Sequence, residues 1–259
     1  MILHHRLLTP PSPVHHTPIV LLHGLFGSMD NLSLLAKKLA TNYPTLQLDI
    51  RNHGLSPRTE IFSYAGLAQD VIDTLDNLNY QNFALIGHSI GGKIAMAITS
   101  LAPQRVKKLV VIDIAPVSYP QPRHDAIFAA LNAVRTASIS SRSEAASIMG
   151  TWISNEDVIQ FLLKSFHHGD WRFDVAALEK NYSQISGWRE LQPWHGPAMF
   201  IRGEKSDYLD EQYKNPLVSQ FPEAKAWLVA GADHWVHAEK PETVLRIITR
   251  FFATSPALE

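Results

Sequence analysis

The chain contains no cysteine, which removes disulfides, thiol nucleophiles and thiolate metal sites without identifying a compartment. It has no apolar run approaching the length needed to span a bilayer. Neither charge dominates: 23 Lys and Arg against 24 Asp and Glu leave a formal charge of −1, so nothing in the balance points to a nucleic-acid partner. The opening residues, Met1 to Leu8, lack the apolar stretch and cleavage site of a signal peptide, and the expected location is the cytoplasm. Repeats, low-complexity tracts and long linkers are also missing. The pairs His4-His5, His15-His16 and His167-His168 have no carboxylates at ligand spacing, so no metal site is expected. What remains is 259 residues, 46% hydrophobic and 18% charged, an ordinary globular composition long enough for one large α/β domain with an inserted subdomain.

Strand-like and helix-like segments alternate over the first third. Ile19-Val20-Leu21-Leu22 is a continuous apolar run, as expected of a parallel strand buried on both faces. Leucines at 32, 34, 35 and 39 have helical spacing, with Asp30 available as a cap. Leu46 to Ile50 reads as a strand, Ala65 to Leu78 as a helix, Ala84 to Ile86 as a strand followed by a helix to about Leu101, and Leu109 to Ile114 as a strand. This order predicts a doubly wound, mostly parallel sheet. Between Pro116 and Pro193 no strand candidate appears, while Asp125–Val134, Arg142–Trp152, Asp157–Phe166 and Val175–Tyr182 read as short helices. Strands resume at Ala198–Arg202 and Ala226–Val229, and a helix from Glu242 to Phe252 closes the chain. The expected organisation is a core of residues 1–116 and 193–259 with a helical cap of 117–192 over the C-terminal strand ends, where α/β sheets bind ligands.

The segment Gly87-His88-Ser89-Ile90-Gly91 is the pattern G-x-S-x-G between a buried strand and a helix. A serine on so sharp a turn needs neighbours without Cβ atoms, and Gly87 and Gly91 supply that room. Ser89 is therefore the expected nucleophile; the competing reading, a serine acting only as helix cap, leaves its partners unexplained. Those partners follow. Ala230-Gly231-Ala232-Asp233-His234 comes after the last strand, placing His234 at the same sheet edge as general base. His23-Gly24-Leu25-Phe26-Gly27 follows the first buried strand, and its bend lets the Leu25 N–H join the Ile90 N–H in an oxyanion hole.

These motifs, in this order across almost the full length, resemble the α/β-hydrolases. Arg51-Asn52-His53-Gly54-Leu55-Ser56-Pro57-Arg58, Ile112-Asp113-Ile114-Ala115-Pro116, Gln160 to Phe166 and His234-Trp235-Val236-His237-Ala238-Glu239-Lys240-Pro241 are similar in particular to bacterial YbfF-type esterases. The resemblance implies ester hydrolysis through an acyl-enzyme with no cofactor. The superfamily's acid usually sits in a G-x-x-D loop after the cap, but here that loop reads Gly203-Glu204-Lys205-Ser206, with Asp207 one residue late. Asp113, at the end of the strand after the Ser89 helix, is assigned as the orienting carboxylate, Asp207 remains the alternative, and Ser206 is a candidate fourth member.

His53 is read as structural, holding its loop near the Leu25 turn, and His237 as facing the start of the final helix. Phe128, Trp152, Phe161, Phe166, Trp171 and Trp188 are read as the insertion's own small core, with a few lining an acyl pocket. The expected activity is hydrolysis of a small-molecule carboxylic ester, with acyl-CoA thioesters as a further class. The alternatives are a carbon–carbon bond hydrolase, cofactor-free lyase or perhydrolase on the same fold, and a binding protein that has lost catalysis.

Overall fold

A computed structural model describes residues 1–11, 15–120 and 123–254. The first elements are β1 (His5–Leu8), β2 (Ile19–Leu22), α1 (Ser33–Leu39), β3 (Thr45–Leu48), α2 (Tyr64–Asn77), β4 (Phe83–His88), α3 (Ile90–Leu101) and β5 (Val106–Ile112). The middle of the chain holds α4 (Asp125–Ala137), α5 (Arg142–Met149), α6 (Glu156–Leu163), a hairpin of β6 (Phe166–His167) and β7 (Asp170–Trp171), α7 (Val175–Lys180) and α8 (Tyr182–Ser186). It ends with β8 (Ala198–Gly203), α9 (Lys214–Gln220), β9 (Ala224–Val229), α10 (Val236–Glu239) and α11 (Pro241–Ala253).

Among the described residues, seven strands form one sheet in the order β1-β3-β2-β4-β5-β8-β9. All neighbours are parallel except β1, which runs antiparallel to β3. The central strands are apolar throughout because alternate side chains enter two different cores. Val20, Leu22 and Leu85 face α2 and α3, while Ile19, Leu21, Ala84 and Ile86 face α1 and α11. Each fully buried Val, Leu or Ile among them contributes about 1.5–3 kcal/mol of transfer free energy.

The helical segment between β5 and β8 rests on the loops at the C-terminal strand ends. Gly54 N–H donates to the Arg172 carbonyl at 2.6 Å and Ser165 Oγ to the Phe26 carbonyl at 3.0 Å. Tyr64 Oη donates to the Ile185 carbonyl at 2.5 Å.

Several expectations need correction. β1 carries too weak an apolar pattern to be read as a strand, and only its edge pairing with β3 makes it one. The β6–β7 hairpin lies in a segment read as free of strands; with two residues a strand, it is too short for period-two alternation to register. Lys214–Gln220 is a helix that its mixed composition concealed. Asp30 does not cap the first helix: a 3-10 turn over Met29–Leu32 precedes α1, Ser28 N–H donates to Asn31 Oδ1, and Asp30 pairs with Arg6 instead. Trp152 is 52% exposed and so is no part of the insertion's core, whereas Phe128, Phe166 and Trp171 are buried.

Candidate active site

The site forms where β2, β4, β5, β8 and β9 end. Ser89 sits between β4 and α3 at φ 54° and ψ −124°, a backbone conformation costly for a residue with a Cβ. The two glycines make the turn possible. A Cβ on Gly87 would lie 2.2 Å from the Gly91 carbonyl, and one on Gly91 would lie 2.2 Å from the Leu22 carbonyl. The Ser89 hydroxyl caps nothing in α3. It lies 3.0 Å from His234 Nε2 instead.

His234 is on the loop between β9 and α10. Its Nδ1 is 2.7 Å from Asp113 Oδ2, so the proton on Nδ1 is donated to the carboxylate and the Nε2 lone pair faces the serine. Asp113 follows β5 at φ 56° and is fully buried. Its other oxygen accepts the Gly203 N–H at 2.9 Å, and the Ser206 hydroxyl donates a short hydrogen bond to Oδ2. A buried carboxylate is tolerable only with such donors on both oxygens. Asp207 is elsewhere: its side chain is 68% exposed and takes a fork from the Arg123 guanidinium at 2.9 and 3.2 Å. The structure thus brings Ser89, His234, Asp113 and Ser206 into one hydrogen-bonded chain and leaves Asp207 outside it.

Leu25 and Ile90 both line the cavity that holds Ser89. Among the described residues, neither N–H has an acceptor within hydrogen-bond reach. The next N–H, that of Phe26, is already taken by His53 Nε2 at 3.1 Å. Burial pushes His53 down to about 3, so its ring is neutral and can accept that bond. This is the structural role read for His53 from the sequence. His237 is buried, and its ring lies 4.3 Å from that of His88.

Two cavities meet at Ser89. One, of about 40 Å³, is lined by Leu25, Ile90, Lys93, Ile114, Tyr119 and Ile185 among others. The second, of about 140 Å³, holds His234, Trp235, Phe161, Val158 and Ile127. Sequence reasoning overlooked the most unusual lining group, Lys93. It is 1% exposed, donates to the Ser186 and Gly187 carbonyls at 3.1 and 2.9 Å, and lies within 6 Å of the Tyr64, Tyr119 and Trp188 ring centres. Burial lowers it to about 7. A lone cation in the apolar run Ile90 to Met96 was the available signal. Tyr208, also overlooked, stacks on the His234 imidazole at 4.1 Å. No group of three or more metal-ligating side chains occurs among the described residues.

Comparison with known proteins places the chain in a family. Residues 19–247 match the alpha/beta hydrolase family. The chain is 52% identical over 246 residues to esterase YbfF of Escherichia coli (strain K12), covering 95% of this chain and 97% of that protein. It is 34% identical over 247 residues to the sn-1-specific diacylglycerol lipase of Mus musculus, covering 91% of this chain and 80% of that one. The solved structure of a marine microorganism esterase superposes with a TM-score of 0.90 at 34% identity, covering 96% and 99% of the two chains. With a strand–serine–helix turn at the sheet edge, a family match over most of its length and a relative this similar, the chain belongs to the α/β-hydrolase family, among the YbfF-type esterases.

Proposed function

We propose that this protein is a serine esterase that hydrolyses carboxylic esters, and the corresponding acyl-CoA thioesters, through an acyl-enzyme. The observation that carries the reading is the unbroken chain from Ser89 Oγ through His234 to buried Asp113. His234 Nε2 removes the hydroxyl proton as Ser89 Oγ attacks the acyl carbonyl carbon. The N–H groups of Leu25 and Ile90 receive the developing oxyanion, each worth about 3 kcal/mol of barrier. Asp113 stabilises the imidazolium that forms, and Ser206 holds the carboxylate in place. His234 then hands its proton to the departing alcohol or thiol. Water, activated by the same imidazole, releases the acid and restores Ser89.

Because the leaving group must face the imidazole, the His234-lined cavity takes the alcohol or thiol. The cavity of about 40 Å³ beside Lys93 takes the acyl group. Room for only a few waters there favours short acyl chains. Residues 117–192 act as a cap that supplies Tyr119, Tyr182 and Ile185 to the acyl side and Phe161 to the other.

The test is labelling with a fluorophosphonate probe together with a series of p-nitrophenyl esters of increasing acyl length, run beside acyl-CoA thioesters. Ser89→Ala is expected to fold, to escape labelling, and to lose on the order of 10⁴-fold or more in kcat. Labelling at another serine, or turnover retained in the alanine variant, ends this reading. A preference for long acyl chains would move the acyl group out of the small cavity.

A further inference from the structure

The residue before the nucleophile is a histidine that the proposed mechanism does not use. His88 ends β4 and is 3% exposed. Its Nε2 lies 2.9 Å from the main-chain carbonyl of His234, 146 residues away in sequence. A carbonyl oxygen can only accept, so Nε2 carries the proton, and Nδ1 keeps a lone pair. A Cβ on Gly24 would lie 2.8 Å from that Nδ1, so the ring sits directly against the turn that bears Leu25. On its other side the ring meets His237 at 4.3 Å and His234 at 4.9 Å. One imidazole therefore touches the turn after β2, immediately precedes Ser89 and holds the loop of His234.

That last bond ties the His234 main chain itself to the end of β4. The His234 N–H is held only locally, by Asp233 Oδ1 at 2.8 Å. Among the described residues, the bond from His88 is the one long-range hydrogen bond made by the His234 peptide unit itself. The loop is otherwise tied through neighbouring residues, as in Lys205 N–H to the Ala232 carbonyl at 2.9 Å. With its neighbours held but its own carbonyl released, the His234 residue can shift its imidazole relative to Ser89 and Asp113. Displacement of a reacting group by about 1 Å costs on the order of a hundredfold in rate.

We infer that His88 is a positioning residue: its Nε2–H, donated to the His234 carbonyl, sets the imidazole of His234 at hydrogen-bonding distance from both Ser89 and Asp113. Burial and the neighbouring histidines hold His88 far below the usual imidazole range, so the ring stays neutral and keeps this donor–acceptor pattern across the working pH range. The role depends on a neutral donor at that reach, not on a histidine as such.

The experiment compares His88→Leu, which fills the space without a donor, with His88→Gln, whose amide N–H extends about as far as Nε2. Two readouts are taken on the full chain: kcat and KM on a short p-nitrophenyl ester, and the low-field proton resonance of the His234–Asp113 hydrogen bond. The leucine variant is expected to lose about tenfold to a hundredfold in kcat with KM within about twofold. Its resonance should shift or broaden, and glutamine should restore most of both. Leucine with wild-type kcat and resonance, or glutamine as impaired as leucine, overturns the inference. Should the leucine variant not fold, His88→Asn, with its amide one bond short, takes its place: it is expected to be impaired, and normal behaviour overturns the inference equally. The kinetic arm rests on the esterase reading, whereas the proton resonance needs no substrate. A protein without esterase activity but with a leucine-sensitive, glutamine-restored resonance would sink the esterase reading and keep the positioning role.

Discussion

Two aspartates stand close to the sheet edge, and their surroundings are opposite. Asp113 follows a central strand, has no exposed surface and accepts hydrogen bonds from His234, Gly203 and Ser206. Asp207 lies on the next loop, with a side chain 68% exposed, and pairs with Arg123 in solvent. The difference teaches what the orienting role proposed for Asp113 requires. In a low-dielectric site its charge acts on the imidazolium almost undiminished, while in water the same charge is screened. Proximity in sequence to the superfamily's usual acid position does not supply that setting.

The sharpest way to break this comparison is to exchange charge for shape at each position. Asp113→Asn is expected to lose up to about 10⁴-fold in kcat/KM on a short ester, because the amide can favour the wrong tautomer of His234. A near-normal Asp113→Asn enzyme would return the role to another carboxylate.

The contrast between buried and exposed groups also sets the response to acid. Burial lowers His23 and His88, and takes His53 and His237 to about 3 and His124 to about 4, from an ordinary 6.5. These rings are neutral in the folded protein, but the unfolded chain takes up protons below about 6.5. Stability is therefore fully present above that value and is lost as the pH falls from there toward the folded values. Each ring contributes about 1.4 kcal/mol per pH unit within the window. Urea midpoints at pH 7.5, 5.5 and 4.5 should fall steadily; a midpoint independent of pH over that range would contradict the buried, neutral histidines.

Ser206→Ala removes one donor to Asp113 while leaving the Gly203 N–H and His234 in place. Loss of a hydrogen bond to a charged group is worth about 1.5–3 kcal/mol, so a reduction of roughly ten- to a hundredfold in kcat is expected. A loss as large as that of Asp113→Asn would mean that the serine fixes the carboxylate's position outright. The smallest effect belongs to Asp207→Asn: an exposed ion pair is worth about 0–1 kcal/mol, and kcat/KM should stay within a few-fold of the parent. If Asp207→Asn is crippled and Asp113→Asn active, the comparison is inverted.

Much of the site could be read along the chain because its parts are local. Gly87, Ser89 and Gly91 announce a turn whose sterics admit little else, and Gly24 and Gly231 mark the loops that carry Leu25 and His234. That Asp113 rather than Asp207 would lie beside His234 was also foreshadowed by the register of Gly203 to Ser206. The helical segment was less so. Phe161 and Trp152 look alike in sequence, yet Phe161 lies 5.1 Å from Trp235 at the cavity while Trp152 is half exposed to solvent. Aromatic content says that a segment packs against something, but not which ring faces the site.

What the sequence by itself determined is the sheet, its mostly parallel winding, and the loops on which Ser89, His234 and Asp113 lie, since those follow from periodicity and from turns that tolerate few residues. Only the tertiary structure decided that Tyr208 stacks on His234, that Lys93 lies caged beneath three aromatic rings, and that His88 reaches the carbonyl of His234. Each of these joins residues distant in the chain, and a contact of that kind leaves no local spacing by which to read it.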